Sequence, residues 1–356
     1  MTLLSPNGAL LSALLPALNR GPALSTRRFT TPEALIPHVG SRLFSWSHNG
    51  VMIPNLPEPF RFLSMTTIVG STGAPISEVR HQPPPPGGPR NRATLNVSTA
   101  ATAPGFWDDL RIDTECELAR DGSLWRYGDA VTLAGRYPSY RLEIRTPDLS
   151  ADLDLACSDV VSWFVHTPVY RHLSLLTRYA GTITHAGSTH EVGGTCAFEH
   201  ARAFGSYTFA SRPVRSRLLT LPLDFFTYQV LDLGDDRQLL LVSVEAEGRI
   251  VMNGAFLRDA TGRSVALDRG LSFEVLENEP EPAITPDGAP MSLPRRMRWH
   301  TGPQAAFAVD IEATVDAPFS WGLGSGYVGC YSFGGTVDGA PVEGRTGYVE
   351  YIDRRA

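Results

Sequence analysis

The sequence predicts an all-β protein: two consecutive antiparallel β-barrels or sandwiches, preceded by a short N-terminal helical extension. Three observations carry this expectation. Segments after residue 40 alternate apolar and polar residues with period two and are rich in β-branched and aromatic side chains, as in "TLNVSTAAT" (94–102), "SYRLEIRT" (139–146), "LSLLTRYAGTITHAG" (173–187), "QLLLVSVEAEGRIVMNGAFL" (238–257) and "GYVGCYSFGGTV" (326–337). Hairpin-grade dipeptides punctuate them at Asn49-Gly50, Asp121-Gly122, Asp287-Gly288 and Asp338-Gly339. Helical periodicity is almost absent beyond the N-terminus, apart from a short turn near "TAPGFWDDL". With 356 residues, the chain exceeds what one hydrophobic core comfortably holds, so two such units are needed.

Residues 1–40 read as the extension. Leu10, Leu11, Leu14, Leu15 and Leu18 share one helical face after Pro6 and Asn7, which predicts a helix docked on the body of the protein. The apolar run is short, no positive charge precedes it, and no small-residue cleavage site follows, so a signal peptide is not expected. The polar face lacks the basic cluster of a membrane-surface helix. No stretch is long enough for a transmembrane span, and a cytoplasmic protein is expected. The first β unit covers residues 41–210 and the second 211–356, the break falling in "GSYTFASRPVRSRLLTLP" (205–222). "HQPPPPGGPRNR" (81–92) cannot join a sheet ladder, because proline donates no hydrogen bond. It reads as a stiff, mobile surface loop, or as a polyproline ligand for a partner's aromatic groove. A second Pro-rich break, "ENEPEPAITPDGAPMSLP", spans 277–294.

Composition excludes several chemistries. The formal net charge of -6 favours neither a nucleic acid nor an anionic membrane as partner. All 31 basic residues are arginine, so chemistry that needs a lysine amine is excluded: Schiff bases, pyridoxal phosphate attachment and P-loops. Cys116, Cys157, Cys196 and Cys330 form no CxxC and read as small strand hydrophobes of a reducing compartment. The nine histidines form no HExxH, although His185 and His190 flank a turn and His166 and His172 lie six apart, so no metal and no cofactor are expected. "GLGSGYVG" (322–329) has glycines at GxGxG spacing but no βαβ context, which rejects a dinucleotide site.

Glu199 and His200 stand out in "EVGGTCAFEHARAFG" (191–205), a run of small residues. If 192–202 is a strand, Val192, Gly194, Cys196, Phe198, His200 and Arg202 face one way, and Gly193, Thr195, Ala197, Glu199 and Ala201 the other. The second face is nearly all small, which in a small barrel leaves room for a ligand beside one carboxylate. The alternative is a solvated face with Glu199 as a surface charge.

Two passages, "RYAGTITHAGSTHEVGGTCAFEHARAFG" with "LDFFTYQVLDLGDDRQLLLVSV", and "GYVGCYSFGGTVDGAPVEGRTGYVEYID", resemble the tandem lipocalin-like (calycin) family that includes the carotenoid 1,2-hydratases, or hydroxyneurosporene synthases. In that family a strand of small residues delivers an aromatic-x-Asp-His/Arg-Glu-Trp motif, an aromatic strand follows, and a G-x-G-Y-x-E strand closes the chain. The resemblance places the motif's aspartate on Glu199 and its basic position on His200, the aromatic strand on Phe225, Phe226 and Tyr228, and the closing strand on Gly347, Tyr348 and Glu350. The motif's second acid and tryptophan are Ala201 and Arg202 here, and "WSHNGVMIPNLPEPFRFLSM" (46–65) looks like a high-GC bacterial branch of the group.

A carboxyl group in an apolar, aromatic-lined pocket is expected to have a raised pKa and to donate a proton to an alkene, an enol ether or a carbonyl. Aromatic faces would stabilise the resulting cation. Its quenching by water, by an internal nucleophile or by proton loss gives a hydratase, a cyclase or an isomerase. With the resemblance, the expected function is therefore cofactor-independent proton transfer on a hydrophobic terpenoid- or polyketide-like molecule. Glu199 is the expected catalytic acid, with His200 assisting only across a bulge or at the pocket mouth.

The expected substrate-binding residues are Trp163, His166, Phe226, Tyr228, Trp321 and Tyr348. In an extended "SWFVHTPVYRHLSLL" (162–176), Trp163 and Val165 share one face, and Phe164 and His166 the other. For His166, Tyr228 and Trp321 the core is the commoner place for such side chains, and lining a cavity is the other. A non-catalytic carrier of a lipid-like ligand is the alternative function, and a structural protein using its proline loop is a third. The substrate and the oligomeric state are not legible.

Overall fold

The alternating stretches form two large, curled antiparallel sheets in this computed structural model, which describes residues 18–37, 40–79, 81–210 and 221–355. The first sheet comprises β1 (Trp46–Ile53), β2 (Leu63–Gly70), β3 (Arg92–Ser98), β4 (Phe106–Arg111), β5 (Cys116–Leu118), β6 (Leu124–Tyr127), β7 (Val131–Arg136), β8 (Ser139–Arg145), β9 (Ser150–His166), β10 (Tyr170–His185) and β11 (Ser188–Ala203). The second comprises β12 (Leu223–Asp232), β13 (Arg237–Ala246), β14 (Arg249–Asp259), β15 (Ser264–Leu267), β16 (Leu271–Asn278), β19 (Pro294–Thr301), β20 (Val309–Val315), β22 (Gly326–Val337) and β23 (Ala340–Asp353). A short β21 (Ser320–Leu323) pairs with β22, and β17 (Ala283–Ile284) with β18 (Pro290–Met291) makes a separate ribbon inside the second Pro-rich break.

Both sheets follow one plan. The last strand returns to pair with the first, β11 with β1 and β23 with β12. The bends match too. Gly181 on β10 and Gly335 on β22 have φ of 154° and 149°, and a Cβ at either would lie 1.9 or 2.0 Å from the carbonyl oxygen of Asp152 or Asp310 on the neighbouring strand. Only glycine permits so close a backbone approach in that conformation.

Strand parity decides which core each residue joins. On β11, Val192, Cys196 and Phe198 point into the first sheet's own core with Trp125, Leu173 and Leu175. Ala197 points the other way and packs with Met52, Phe62, Phe164 and Val165 against the second sheet's Tyr228, Leu240 and Phe256. The outer face of the first sheet is thus buried under the second. One cation crosses this layer. Arg258 on β14, 1% exposed, donates to Ser174 O (2.9 Å), Ser174 Oγ (3.1 Å) and Gln238 Oε1 (2.9 Å), with a longer bond to Ser162 Oγ (3.4 Å).

Asn49-Gly50 is not a turn but lies inside β1, where Gly50 pairs with Glu199 and Thr66. Asp121-Gly122 and Asp287-Gly288 do sit at turns, and Asp338-Gly339 forms the β22–β23 hairpin with φ of 53° and 77°. The proline loop stays out of the ladder until Arg92 but is pinned. Arg90 donates to Ser41 O and Phe44 O, Arg92 pairs with Asp109 at 2.9 Å, and the His81 ring lies 5.2 Å from Trp107. The predicted helical face of Leu10, Leu11, Leu14 and Leu15 lies outside the described residues, and Leu18 is exposed. The extension's described part includes a short helix, Gly21–Ser25, tied to β9 by Trp163 N donating to Ser25 Oγ at 2.7 Å. No helix among the described residues is long and apolar enough to cross a membrane.

Arg258→Ala strands the buried acceptors on Ser174 and Gln238, so it should lower unfolding free energy by about 3 kcal/mol in urea melts. A loss below about 1 kcal/mol would show that the clamp adds little to sheet packing.

Candidate active site

The site is assembled by register across three strands. On β1, alternation puts Trp46, His48, Gly50 and Met52 on the face that meets the second sheet. His48 pairs across to Ala201 and Gly50 to Glu199, while on the other side of β11 His172 pairs with Ala201 and Ser174 with Glu199. Ala201 therefore lies between two histidines, and its methyl group is small enough for their rings to converge edge to face, 5.9 Å apart at 77°. Glu199, one step along the same face, is flanked by Gly50 and Ser174. A Cβ at Gly50 would lie 3.3 Å from His48 Nε2 and 2.6 Å from the Met52 methyl carbon, so the glycine makes room for the imidazole.

Glu199 is 1% exposed. Its Oε2 lies 3.3 Å from His172 Nε2 and 3.9 Å from His48 Nε2, and its Oε1 has no hydrogen-bond partner among the described residues. His172 Nδ1 meets the Tyr170 hydroxyl at 3.2 Å. His48 Nδ1 lies 2.9 Å from Thr67 O. A carbonyl only accepts, so neutral His48 carries its proton on Nδ1 and presents a bare Nε2 lone pair. Burial, then the neighbouring His172, push the His48 pKa down to about 4, against the pull of Glu199. The imidazole is therefore held neutral.

Between the sheets lies a cavity of about 260 Å³. Its wall is mostly apolar, including Ile68, Val165, Leu223, Phe226, Met252 and Ile352, and its polar members include His48, Tyr170, His172 and Glu350. Glu350 comes from β23 of the second sheet and is 2% exposed. Tyr348 Oη donates to its Oε1 at 2.9 Å and lies 3.0 Å from Ser64 Oγ. Burial first, and the Glu199 carboxylate second, hold the Glu350 carboxyl well above the usual carboxylate range. Both causes favour the protonated form of this acid at the wall. Burial also lowers Arg258 to about 10, its charge still drawn by Glu199.

The structure sorts the expected residues. Glu199 faces the inter-sheet layer as its parity required, but it stands behind the histidines, and the cavity lies between two sheets, not inside one barrel. His200 points into the first sheet's core, stacked on Trp125 at 6.1 Å with Nδ1 3.1 Å from Asn49 Oδ1. Phe226 is in the wall. Tyr228 is buried against Phe164, near enough to Glu199 for that carboxylate to add to the rise in its pKa that burial causes, but short of hydrogen-bond geometry. Tyr348 orients Glu350. Trp321 packs with Tyr327 and His81 away from the wall.

Trp163 and His166 meet each other at 4.7 Å on the face that carries Phe29, away from the cavity. The expected pairing of Trp163 with Val165 fails because β9 bulges there. His172 pairs with Val165 and Leu173 with Trp163, which leaves Phe164 as the extra residue and turns both Phe164 and Val165 toward the second sheet. His48, Tyr170 and His172 escaped sequence reasoning as site residues. Their signal was alternation in "WSHNGVM" and "YRHLS", which shows a face but not which strands adjoin. Expected metal absence meets a contrary arrangement: one ligand atom each of His48, His172 and Glu199 lies within 4.8 Å of the others.

A model of a family of unknown function, DUF6670, matches residues 66–356. No curated protein matches the chain. Among solved structures, a protein provisionally named AttH from Nitrosomonas europaea shares the fold at TM-score 0.62 and 16% identity, over 93% of this chain and 98% of that one. Kievitone hydratase from Nectria haematococca does so at TM-score 0.53 and 11% identity, over 93% and 97%. CghA matches at TM-score 0.53 and 11% identity, over 93% and 95%.

Glu350→Gln keeps the shape and removes the titration. A raised folded-state pKa means that the wild type's stability is full below about 4.3, where the unfolded carboxyl is still protonated, and falls as pH rises above it. Melting temperatures should therefore favour the variant increasingly between about pH 5 and pH 8. A pH-independent difference would place an ordinary carboxylate there.

Proposed function

The chain belongs to the family of unknown function DUF6670, and from its inter-sheet cavity we propose that it is a hydratase-type enzyme acting by proton transfer on a hydrophobic small molecule. One observation carries the reading: an apolar cavity with a neutral carboxylic acid on one sheet and a neutral imidazole, lone pair bare, on the other. Environments that separate two titratable groups in this way divide the acid and base roles between them. The shared fold with a protein named as a hydratase supports the same class, and the lipocalin-like sequence motifs are consistent with a branch of the tandem hydratase group. We place the boundary between its two β domains within 205–220.

Glu350 donates its proton to an alkene carbon, leaving the other carbon cationic in the aromatic and apolar cavity. Water adds its oxygen to that carbon, and His48 Nε2 takes the proton that water releases. The net change is addition of water across the double bond, and the proton returns from His48 to Glu350 through solvent. Glu199, 3.9 Å from His48 Nε2 and held by His172, offsets the imidazolium charge while it exists. It is a positioning and charge-balancing residue here, not the proton donor. If the cation is instead captured internally or loses a proton, the same residues perform cyclisation or isomerisation. The lining suits a terpenoid- or polyketide-like skeleton with no charged group.

Native mass spectrometry of the purified protein, with organic extraction, should release a hydrophobic molecule. Incubated with its unsaturated form, Glu350→Gln and His48→Ala should each lose roughly 10²-fold or more in turnover while still binding it. A wild type that holds the molecule without converting it, or a fully active Glu350→Gln, would favour the carrier function instead.

A further inference from the structure

In the buried layer the bare ring nitrogen of His48 faces a carboxylate oxygen, an acceptor against an acceptor, and a cation between them would satisfy both. His48 Nε2 is bare because its Nδ1 hydrogen is engaged by Thr67 O at 2.9 Å, and it aims at Glu199 Oε2, also an acceptor when ionised. His172 Nε2 lies 3.3 Å from the same oxygen; it donates to it in one tautomer, and in the other, with the Nδ1 hydrogen given to the Tyr170 hydroxyl, its Nε2 lone pair is available to a metal. Glu199 Oε1, buried, makes no hydrogen bond of ordinary geometry among the described residues, the Tyr228 hydroxyl being the further donor near this carboxyl group. We propose that His48 Nε2, His172 Nε2 and the Glu199 carboxylate form a binding site for a zinc-class divalent transition ion.

The geometry suits such an ion. Metal–nitrogen bonds of about 2.0–2.1 Å at tetrahedral angles place ligand atoms about 3.3–3.5 Å apart. The observed separations of 3.3 and 3.9 Å, with all three atoms within 4.8 Å, need only small side-chain shifts. The outer groups are those of a metal site as well. A ligating histidine usually donates its second ring N–H to a carbonyl or another polar group, as His48 does to Thr67 O, and the Tyr170 hydroxyl beside His172 Nδ1 can accept in the same way. Two imidazoles and a carboxylate suit zinc better than calcium or magnesium, which prefer all-oxygen cages. Both histidines line the cavity, so the remaining coordination position opens to it.

The site does not depend on the proton-transfer reading, but it bears on it. A bound ion occupies the His48 lone pair that would accept water's proton, so loading the metal should silence that route.

The test uses the full chain, stripped with a chelator and dialysed. Titration with Co²⁺ should give one equivalent bound, with visible absorption several-fold stronger than that of the aqua ion, and Zn²⁺ should displace it. His48→Ala, checked for folding by circular dichroism, should weaken binding at least tenfold, and Glu199→Gln likewise. Wild-type protein that binds no Co²⁺ or Zn²⁺ overturns the site and leaves the proton-transfer reading intact. Binding that persists unchanged in a folded His48→Ala also overturns it. Stoichiometric binding accompanied by a rise in turnover would uphold the site and overturn the metal-free relay.

Discussion

The polar chemistry between the sheets depends on how a carboxylate is kept out of water at Glu199. Parity sends it to the face that the second sheet covers, and the desolvation of an isolated charge there would be prohibitive. Three features share that cost. Arg258 brings a guanidinium into the same layer, satisfied by neutral acceptors on Ser174 and Gln238, so its charge is left to act at a distance on Glu199. His172 meets the carboxylate directly. Gly50, Ala201 and Ser174 around it are small, so these groups can approach. Replace any of the three by a large side chain and the layer could close as plain apolar packing, with no reason to retain an acid.

Much of the fold was legible because it rests on period-two alternation and turn chemistry, both local. The two curled sheets, the direction of Glu199 and the Asp338-Gly339 hairpin all follow from such signals. Asn49-Gly50 misled for a physical reason. A glycine after asparagine favours a tight turn, but here the absent Cβ is needed for lateral room beside His48 within a strand. The Trp163 face was misassigned because a bulge adds one residue to β9 and reverses parity beyond it, and nothing in "SWFVH" marks a bulge.

The site was only half legible for a different reason. Glu199 stands in a run of small residues and attracts notice, but the histidines that meet it, His48 and His172, lie 151 and 27 residues before it in the chain. Register between β1, β11 and β10 brings His48 and His172 to Ala201, and register is a property of the assembled sheet. His200 was the neighbour in sequence and, for that reason, the wrong neighbour in space: adjacent residues on a strand point to opposite faces.

The common plan of the two sheets explains why a second carboxyl faces the first. β11 and β23 hold the same place, each pairing with the first strand of its sheet, and each carries an acid into the shared layer, Glu199 and Glu350. Their surroundings then diverge. Glu199 sits among histidines and feels the guanidinium of Arg258, while Glu350 has the hydroxyl of Tyr348 and the negative charge of Glu199. Burial and that neighbouring charge favour the neutral form of Glu350. Repetition of one topology, followed by different neighbours at equivalent positions, is enough to give the shared layer two carboxyl groups with different partners, an imidazole at Glu199 and a phenol hydroxyl at Glu350.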